Sequence, residues 1–457
     1  MLAADIQPIA AAEQRQSAAD LFLIFVGADI VATTFQVGAS LASSFELSGV
    51  VTLIVIGSIA GAALVAVLAP LGSRLRVPSV IAARPALGFT GAALVAVLLY
   101  ASNFAWIALN NVIAASACAR AAANWLGPAA GAQTPWALAL GAFSTAVVWR
   151  GPRAVARADR VAVPLMLAVG GALTVACLRA VPAATAKPPT PISVMRGLDV
   201  VVGYQVSWIL MFADYSRYTR SARGSAIAVL AALASTSIWM MLLGAVAART
   251  AGTDDPGAMM QAVGLGAGGA VLLTLATVTT NFVNIYMSSL AWKSLKPRAN
   301  DTAIVWSIGV VGTALSALPG VWLAQYTNFM VVLGALLVPI GGLLVAHYYL
   351  AGVRQTEPST SALYDEAGPF RGISTAGMTA WIVAAIVYFA ANRATVVGGT
   401  IPALVTSVAV YTLVVRFRTR NPERRTSNAE HLSPHATPRA DRVQPHDAPA
   451  AGTRRPQ

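Results

Sequence analysis

Residues 195–221 read MRGLDVVVGYQVSWILMFADYSRYTRS, and this stretch decides the fold. It is apolar enough to enter a bilayer, yet Gly203 lies near its middle beside Tyr204 and Gln205. A helix that only anchors a chain avoids such residues, whereas a broken helix that presents backbone groups to a buried ligand requires them. We therefore interpret this stretch as one half of a ligand site inside a membrane.

The composition places the whole chain in a membrane. Of its 457 residues, 57% are hydrophobic and only 11% are charged, whereas soluble domains carry about 25% charged residues. Long apolar runs recur without the alternation of a β-barrel, which predicts an all-α polytopic membrane protein. Residues 1–19 do not resemble a cleavable signal peptide. Cys118 and Cys177 are too few for a disulfide framework or a metal site.

The apolar runs predict about twelve transmembrane helices. A helix needs about 20 residues to cross the hydrocarbon layer, and the fourth and eleventh predicted spans are shorter. The predicted spans are residues 20–44, 47–71, 87–117, 134–149, 160–178, 195–218, 224–248, 264–292, 302–318, 322–349, 377–392 and 396–416.

The arginines and lysines concentrate in alternate short loops, those after spans 2, 4, 6, 8 and 10. The positive-inside rule makes these loops cytoplasmic and predicts an inner-membrane protein with both termini in the cytoplasm. The net charge of +13 then needs no nucleic acid partner. We expect residues 1–19 to be a cytoplasmic segment, 20–416 a transporter domain and 417–457 a disordered basic cytoplasmic tail that is solvated or touches anionic lipid.

Spans 1 and 6 are both interrupted and polar at their centres. Their separation by five spans predicts a five-plus-five inverted repeat with broken helices 1 and 6. Repeat one would cover residues 20–178 and repeat two residues 195–349, with two extra C-terminal helices over 377–416.

Span 1 carries Asp29 and Thr33 inside an apolar run. A carboxylate in a membrane segment is costly and is usually functional, although a structural pairing is the alternative. A helix that unwinds here also frees carbonyl groups for a cation. We therefore assign Thr33 to a substrate site and Asp29 to cation binding or coupling.

Aromatic and amide side chains suit a flat heteroaromatic ligand. Trp106 and Asn110 are four residues apart and share one helical face, so the ring stacks on the indole while the amide reads its edge. Tyr204 and Gln205 offer the same pair on span 6, with Trp208 as a rival to Tyr204 for stacking. Packing or interfacial anchoring is the alternative role for each tryptophan.

Span 8 is polar for a membrane helix. Thr279 and Thr280 present adjacent hydroxyls that, with span 1 carbonyls, suit a hard cation such as sodium. Bonding of these hydroxyls to their own backbone is the alternative. Asn281 and Asn284 must each satisfy a full amide, and we assign both to the substrate site. His347, at the end of span 10, is expected at the membrane interface, with proton transfer as the alternative.

Three stretches carry a family resemblance: ADYSRYTRS over 213–221, TTNFVNIY over 279–286 and VPIGGLLVAHYYL over 338–350. Together they resemble the nucleobase–cation symporter-1 family, and within it the purine–cytosine permease branch. The likeness extends over residues 15–415 and implies the same five-plus-five fold and a monomer. It also places the family's aromatic and amide positions on Trp106, Asn110, Tyr204 or Trp208, Asn281 and Asn284.

The resemblance implies a sodium site as well. Its ligands would be the carbonyls of Ala28, Val31 and Ala276 and the hydroxyls of Thr279 and Thr280. Two departures from the family pattern concern coupling and gating. Asp29 adds a titratable group that suits proton coupling, and His347 stands where many relatives carry an acidic residue.

These observations predict a secondary active transporter that imports a nucleobase, cytosine or a purine, by cation symport with alternating access. Hydroxymethylpyrimidine, uracil, allantoin and hydantoin suit the same residues, and a channel or ligand-sensing receptor is the less favoured class. We expect no cofactor and Na⁺ or H⁺ as the coupling ion. An enzyme is not expected, because the spans hold a single histidine, His347, and no paired-carboxylate motif.

Overall fold

The computed structural model describes residues 6–180, 193–350, 358–394 and 396–420. These residues are almost entirely helical, and an isolated bridge between Gln16 and Thr219 is the β-pairing found among them. The described helices up to Val414 form one compact unit. Most of the tail that we expect to be disordered, residues 421–457, lies outside the described residues.

Eighteen α-helices follow one another along the described chain. A 3₁₀ segment, Val206–Met211, continues α9, and a π-helical turn, Ala346–Leu350, continues α15. The α-helices are α1 Ala18–Asp29, α2 Ala32–Ala42, α3 Leu47–Leu75, α4 Ser79–Ala82, α5 Arg84–Leu87, α6 Phe89–Leu126, α7 Gln133–Trp149, α8 Pro152–Ala180, α9 Val194–Gln205, α10 Ala222–Ala251, α11 Pro256–Ala262, α12 Gly266–Leu295, α13 Asp301–Leu315, α14 Pro319–Ala324, α15 Tyr326–Val345, α16 Thr360–Tyr364, α17 Thr375–Arg393 and α18 Thr400–Arg420.

Within the described residues, nine helices are long and apolar enough to cross a membrane, and the bent pair α1–α2 makes a tenth candidate. Helices α7 and α13 occupy the predicted spans 4 and 9 but have only 17 and 15 residues. The all-α polytopic membrane architecture is thereby confirmed. The count of twelve spans and the inverted repeat stay predictions.

The break that we predicted in span 1 is present. Helix α1 ends at Asp29, Val31 adopts an extended conformation (φ −132°, ψ 156°), and α2 leaves at an angle of 59°. The Thr34 hydroxyl donates to the Asp29 carbonyl at 2.8 Å, so one carbonyl freed by the break is satisfied within the span. Backbone and side chains of the break can therefore face a cavity without a large cost in unpaired groups.

Span 6 differs from the expectation at Gly203. The α-helix runs through this glycine to Gln205 and only then narrows to the 3₁₀ segment. A Cβ atom at Gly203 would lie 2.2 Å from the carbonyl oxygen of Met330. The glycine is therefore explained by the close approach of α15, and our assignment of the break to Gly203 was wrong.

Two ionisable groups near the C-terminal helices have structural partners. Asp199 accepts from the backbone N–H groups of Gly399 (2.6 Å) and Thr400 (2.9 Å) and so caps the start of α18. His347, which we expected at the interface, is buried, and its Nδ1 lies 2.6 Å from the Tyr411 hydroxyl. That expectation was wrong because α18 packs over this face of span 10.

The core positions the site through three long helix contacts. Helix α6 packs along α12, and α10 packs along α3 and α2. Ile107, Phe282 and Ile308 join α6, α12 and α13 in a buried apolar cluster. This cluster holds α6 and α12 together. It thereby fixes the position of their polar faces relative to the break of span 1.

Candidate functional site

A cavity lies between the break of span 1, α6, the end of α9 with its 3₁₀ segment, α12 and α15. Its empty space, including the open side, is about 570 Å³. None of the described lining residues carries a charged side chain. The lining residues are Ala28, Val31, Thr33, Leu99, Ser102, Asn103, Trp106, Asn110, Tyr204, Ser207, Trp208, Leu210, Met211, Thr280, Val283, Asn284, Leu333 and Leu337.

The structure brings most of the predicted site residues to this one cavity. They come from four spans that are far apart in the sequence. On spans 3, 6 and 8 they are two residues four positions apart, which lie on the same side of their helix. The predicted residues that line the cavity are Ala28, Val31, Thr33, Trp106, Asn110, Tyr204, Trp208, Thr280 and Asn284.

The aromatic rings are not arranged as a sandwich of Trp106 and Tyr204. These two rings meet edge to face, with centroids 5.9 Å apart and planes at 87°. Phe329 meets the same indole at 5.2 Å and 72°, and Trp208 packs against Phe25 at 5.5 Å and 59°. Trp106 and Tyr204 therefore do not form two parallel faces around a ligand in this geometry, whereas Trp208, the rival to Tyr204, remains available for stacking.

Asn110 is the most unusual polar group of the cavity. Its side chain is fully buried, and neither its amide nitrogen nor its amide oxygen has a hydrogen-bond partner within the described residues. The amide nitrogen of Asn284 is unpaired in the same way. A buried unpaired polar group costs about 1–3 kcal/mol, so these amides favour a ligand that offers both a donor and an acceptor.

Gln205 and Asn281 do not reach the cavity. The Gln205 amide nitrogen donates to the carbonyls of Ser58 (3.5 Å) and Leu233 (3.4 Å). The Asn281 amide nitrogen donates to Asn111 Oδ1 at 2.9 Å. Each residue directly follows one that lines the cavity, and successive side chains on a helix point about 100° apart. The structure therefore does not bring these two predicted substrate residues to the cavity.

The predicted cation ligands are only partly assembled around the cavity. Thr280 lines it, and its hydroxyl donates to the Ala276 carbonyl at 2.7 Å. The Thr279 hydroxyl donates to Leu275 O (3.0 Å) and Ala276 O (3.1 Å) and lies 3.8 Å from the sulfur of Met166 on α8. A hydroxyl that donates to its own helix still has lone pairs for a cation, so the sodium site stays a prediction.

Asp29 lies behind the cavity wall rather than in it. Its side chain is fully buried, and its two oxygens accept from Ser237 Oγ at 2.5 Å and from the Tyr204 hydroxyl at 3.1 Å. The Thr34 hydroxyl is hydrogen-bonded to the same tyrosine hydroxyl. Spans 1, 6 and 7 are thereby joined by one buried polar network.

Several contributors to this site were missed from the sequence. Phe329 packs on Trp106, Ser237 binds Asp29, and Asn103, which lines the cavity, donates to Ser288 Oγ at 2.9 Å. The polar residues have a usable signal, because hydroxyl and amide groups in apolar spans need partners. The sequence gives no such signal for Phe329, because a phenylalanine in a membrane helix usually only packs against neighbouring side chains.

Known proteins resemble this chain along most of its length. A family model described as a permease for cytosine/purines, uracil, thiamine and allantoin matches residues 8–415. Curated cytosine permeases of Escherichia coli, from strain K12 and from O157:H7, are each 29% identical over 217 residues, which is 46% of this chain and 50% of each relative. The chain thus matches about half the length of these curated relatives.

Solved structures share the fold. The inward-facing conformation of Mhp1 has a TM-score of 0.78 at 19% identity and covers 94% of this chain and 97% of Mhp1. Mhp1 is a nucleobase-cation-symport-1 family transporter, and its closed form with bromovinylhydantoin bound has a TM-score of 0.74 at 19% identity over 91% and 95% of the two chains. A Na⁺-coupled sialic acid symporter follows with 0.61 at 11% identity over 89% and 91%.

The likeness to these structures confirms the transporter fold alone. The family match spans far more than half of the residues and confirms the resemblance found in the sequence. The chain has the multi-pass helical membrane fold of these transporters. It belongs to the family of permeases for cytosine and purines, uracil, thiamine and allantoin.

Proposed function

We propose that this protein imports a neutral, planar nitrogen heterocycle by cation symport with alternating access. The unpaired Asn110 amide in an aromatic, uncharged cavity carries this proposal. Trp106 and Trp208 supply flat apolar surface, and the amides of Asn110 and Asn284 supply donors and an acceptor for the edge of the ring. Cytosine is the first candidate and a purine the second, in keeping with the cytosine permease relatives.

Other heterocycles of the same shape form the second candidate. Uracil, allantoin and hydantoin present adjacent N–H and C=O groups on a flat or nearly flat ring, and hydroxymethylpyrimidine presents an amino group beside a ring nitrogen. The bromovinylhydantoin bound to Mhp1 supports a hydantoin in particular, because the two chains share their fold.

Coupling follows from linkage between the ion and the substrate. A cation that stabilises the substrate-binding conformation raises substrate affinity, and the substrate raises cation affinity by the same factor. Sodium is the first candidate, bound by the carbonyls of Ala28, Val31 and Ala276 and the hydroxyls of Thr279 and Thr280. Proton coupling through Asp29 is the alternative.

Alternating access would be a rocking of two internally bonded units. Asp29, Tyr204 and Ser237 bind spans 1, 6 and 7 to one another, while Asn111 and Asn281 bind α6 to α12. The cavity lies between these units, so it can open on either side while both networks stay intact. We further propose a monomer in the inner membrane, with both termini in the cytoplasm and no nucleic acid partner.

Uptake of radiolabelled cytosine into cells without their own permeases tests the proposal. Unlabelled purines, uracil, hydroxymethylpyrimidine, allantoin and hydantoin serve as competitors. Accumulation that is lost without sodium supports the sodium site, and Thr280→Ala should then weaken sodium activation. Accumulation that is lost only with a protonophore assigns coupling to protons. If none of these heterocycles is bound or accumulated by protein that reaches the membrane, the proposed function is wrong.

A further inference from the structure

Asp29 has an unusual set of partners for a carboxylate inside a membrane. Both of its oxygens accept hydrogen bonds from hydroxyl groups, those of Ser237 and Tyr204. No arginine or lysine forms an ion pair with it within the described part of the chain. The side chains of Trp208 and Thr34 also hydrogen-bond to Asp29. A buried carboxylate is tolerated only where donors compensate its lost hydration, so these bonds together account for its presence.

Tyr204 connects this buried network to the cavity. Its hydroxyl end is held by Asp29 and Thr34, while its ring lines the cavity and meets the indole of Trp106 edge to face. A tyrosine ring rotates about its side-chain torsions unless its surroundings hold it in one rotamer. The two hydroxyl contacts therefore determine the angle that the tyrosine edge presents to the tryptophan.

We infer that Asp29 is a positioning residue for the substrate site, which acts by fixing the Tyr204 ring against Trp106. This inference rests on the proposed function. In this role Asp29 accepts the hydrogen bonds that join spans 1, 6 and 7. It does not carry the coupling ion. Substrate affinity then depends on the bonds that residue 29 makes and not on its charge.

A second buried carboxylate provides a contrast within the same molecule. Asp199 accepts from the backbone of Gly399 and Thr400 and from the Asn392 amide. Its partners belong to the C-terminal helices, and it does not line the cavity. Loss of its carboxylate should therefore lower stability without changing substrate affinity, whereas loss of Asp29 should change affinity.

The test compares the KM and the maximal rate of uptake for variants at residues 29 and 204. Asp29→Leu and Tyr204→Phe should each raise KM about tenfold, the effect of one lost buried hydrogen bond, with little change in maximal rate. Asp29→Asn should restore most of the affinity, since an amide accepts from one hydroxyl and donates to the other. The double variant Asp29→Leu/Tyr204→Phe should raise KM by less than the product of the two single effects, because both substitutions remove the Asp29–Tyr204 bond.

Controls separate positioning from general destabilisation. Ser237→Ala should raise KM, whereas Ser235→Ala should not, because the Ser235 hydroxyl bonds only within its own helix, at 2.6 Å to Ala231 O. Asp199→Asn should lower the melting temperature at unchanged KM. Membrane levels and melting temperatures are measured for every variant, and if Asp29→Leu fails to reach the membrane, Tyr204→Phe and Ser237→Ala carry the test.

Three results would overturn the inference. An Asp29→Asn variant as defective as Asp29→Leu, at a normal membrane level, would show that the charge is required. Wild-type KM in Tyr204→Phe and Ser237→Ala would show that the network does not position the ring. If the wild-type protein neither binds nor transports any of the heterocycles, the proposed function fails and this inference fails with it, and that result is distinct from the other two.

Discussion

Trp106 and Tyr204 meet edge to face in the cavity wall, with ring centroids 5.9 Å apart and planes at 87°. This is a favourable geometry for two aromatic rings, but it leaves no parallel slot between them for a flat ligand. Under the proposed function we therefore expect a heterocycle to stack on a face of Trp106 or of Trp208, with the Tyr204 ring packed against the indole of Trp106.

Removal of either indole should weaken substrate binding. Stacking of a base on an aromatic side chain is worth about 1–3 kcal/mol, so Trp106→Ala and Trp208→Ala should each raise the KM of uptake roughly 5- to 150-fold. Trp125→Ala is the matched control, because Trp125 lies on the same helix α6 but is 79% exposed. An unchanged KM in both cavity variants would exclude stacking on these rings.

Asn110 should show opposite effects on function and stability. Asn110→Leu removes a buried amide with no partner, so we expect the ligand-free protein to gain about 1–3 kcal/mol while uptake is lost. Asn111→Leu, one residue further on, removes the acceptor of the Asn281 amide and should lower the melting temperature instead. A melting temperature that falls in Asn110→Leu would mean that the amide has a partner in the ligand-free protein.

The uncharged cavity should discriminate against charged members of the family's substrate range. Burial of an unpaired charge costs several kcal/mol, and no described lining residue offers a counter-charge. Thiamine, a permanent cation, should therefore not compete with labelled heterocycle, whereas neutral cytosine, uracil or adenine should. Competition by thiamine equal to that by the neutral bases would contradict this reading of the site.

Gly203 should tolerate no side chain. A Cβ atom there would lie 2.2 Å from Met330 O, so Gly203→Ala forces α9 and α15 apart, and overpacking of this kind costs about 1–3 kcal/mol. Gly171→Ala is the control, since a Cβ at Gly171 meets nothing within 4 Å. Melting temperatures of the two purified variants give the comparison, and equal values would show that the close approach of α15 is absent.

The shared helical face of Trp106 and Asn110 was predicted correctly from the sequence. Trp106 with Asn110, and Thr280 with Asn284, line the same cavity, because residues four apart on a helix share a face whatever packs on it. Gln205 and Asn281 lie away from the cavity for a related reason. Each neighbours a cavity residue in the sequence, and the sequence does not show how far the helix turns its amide away from the ligand.

The amino-acid sequence by itself determined the membrane location, the helical class and the break in span 1, because hydropathy and helix-breaking polar residues act locally along the chain. It also determined the family. The tertiary structure alone decided that Tyr204 stands edge-on to Trp106, that Asp29 turns behind the wall to Ser237, and that the Asn110 amide is left unpaired. Each of these depends on which distant helices pack together and at what rotation, and no local pattern in the sequence encodes that.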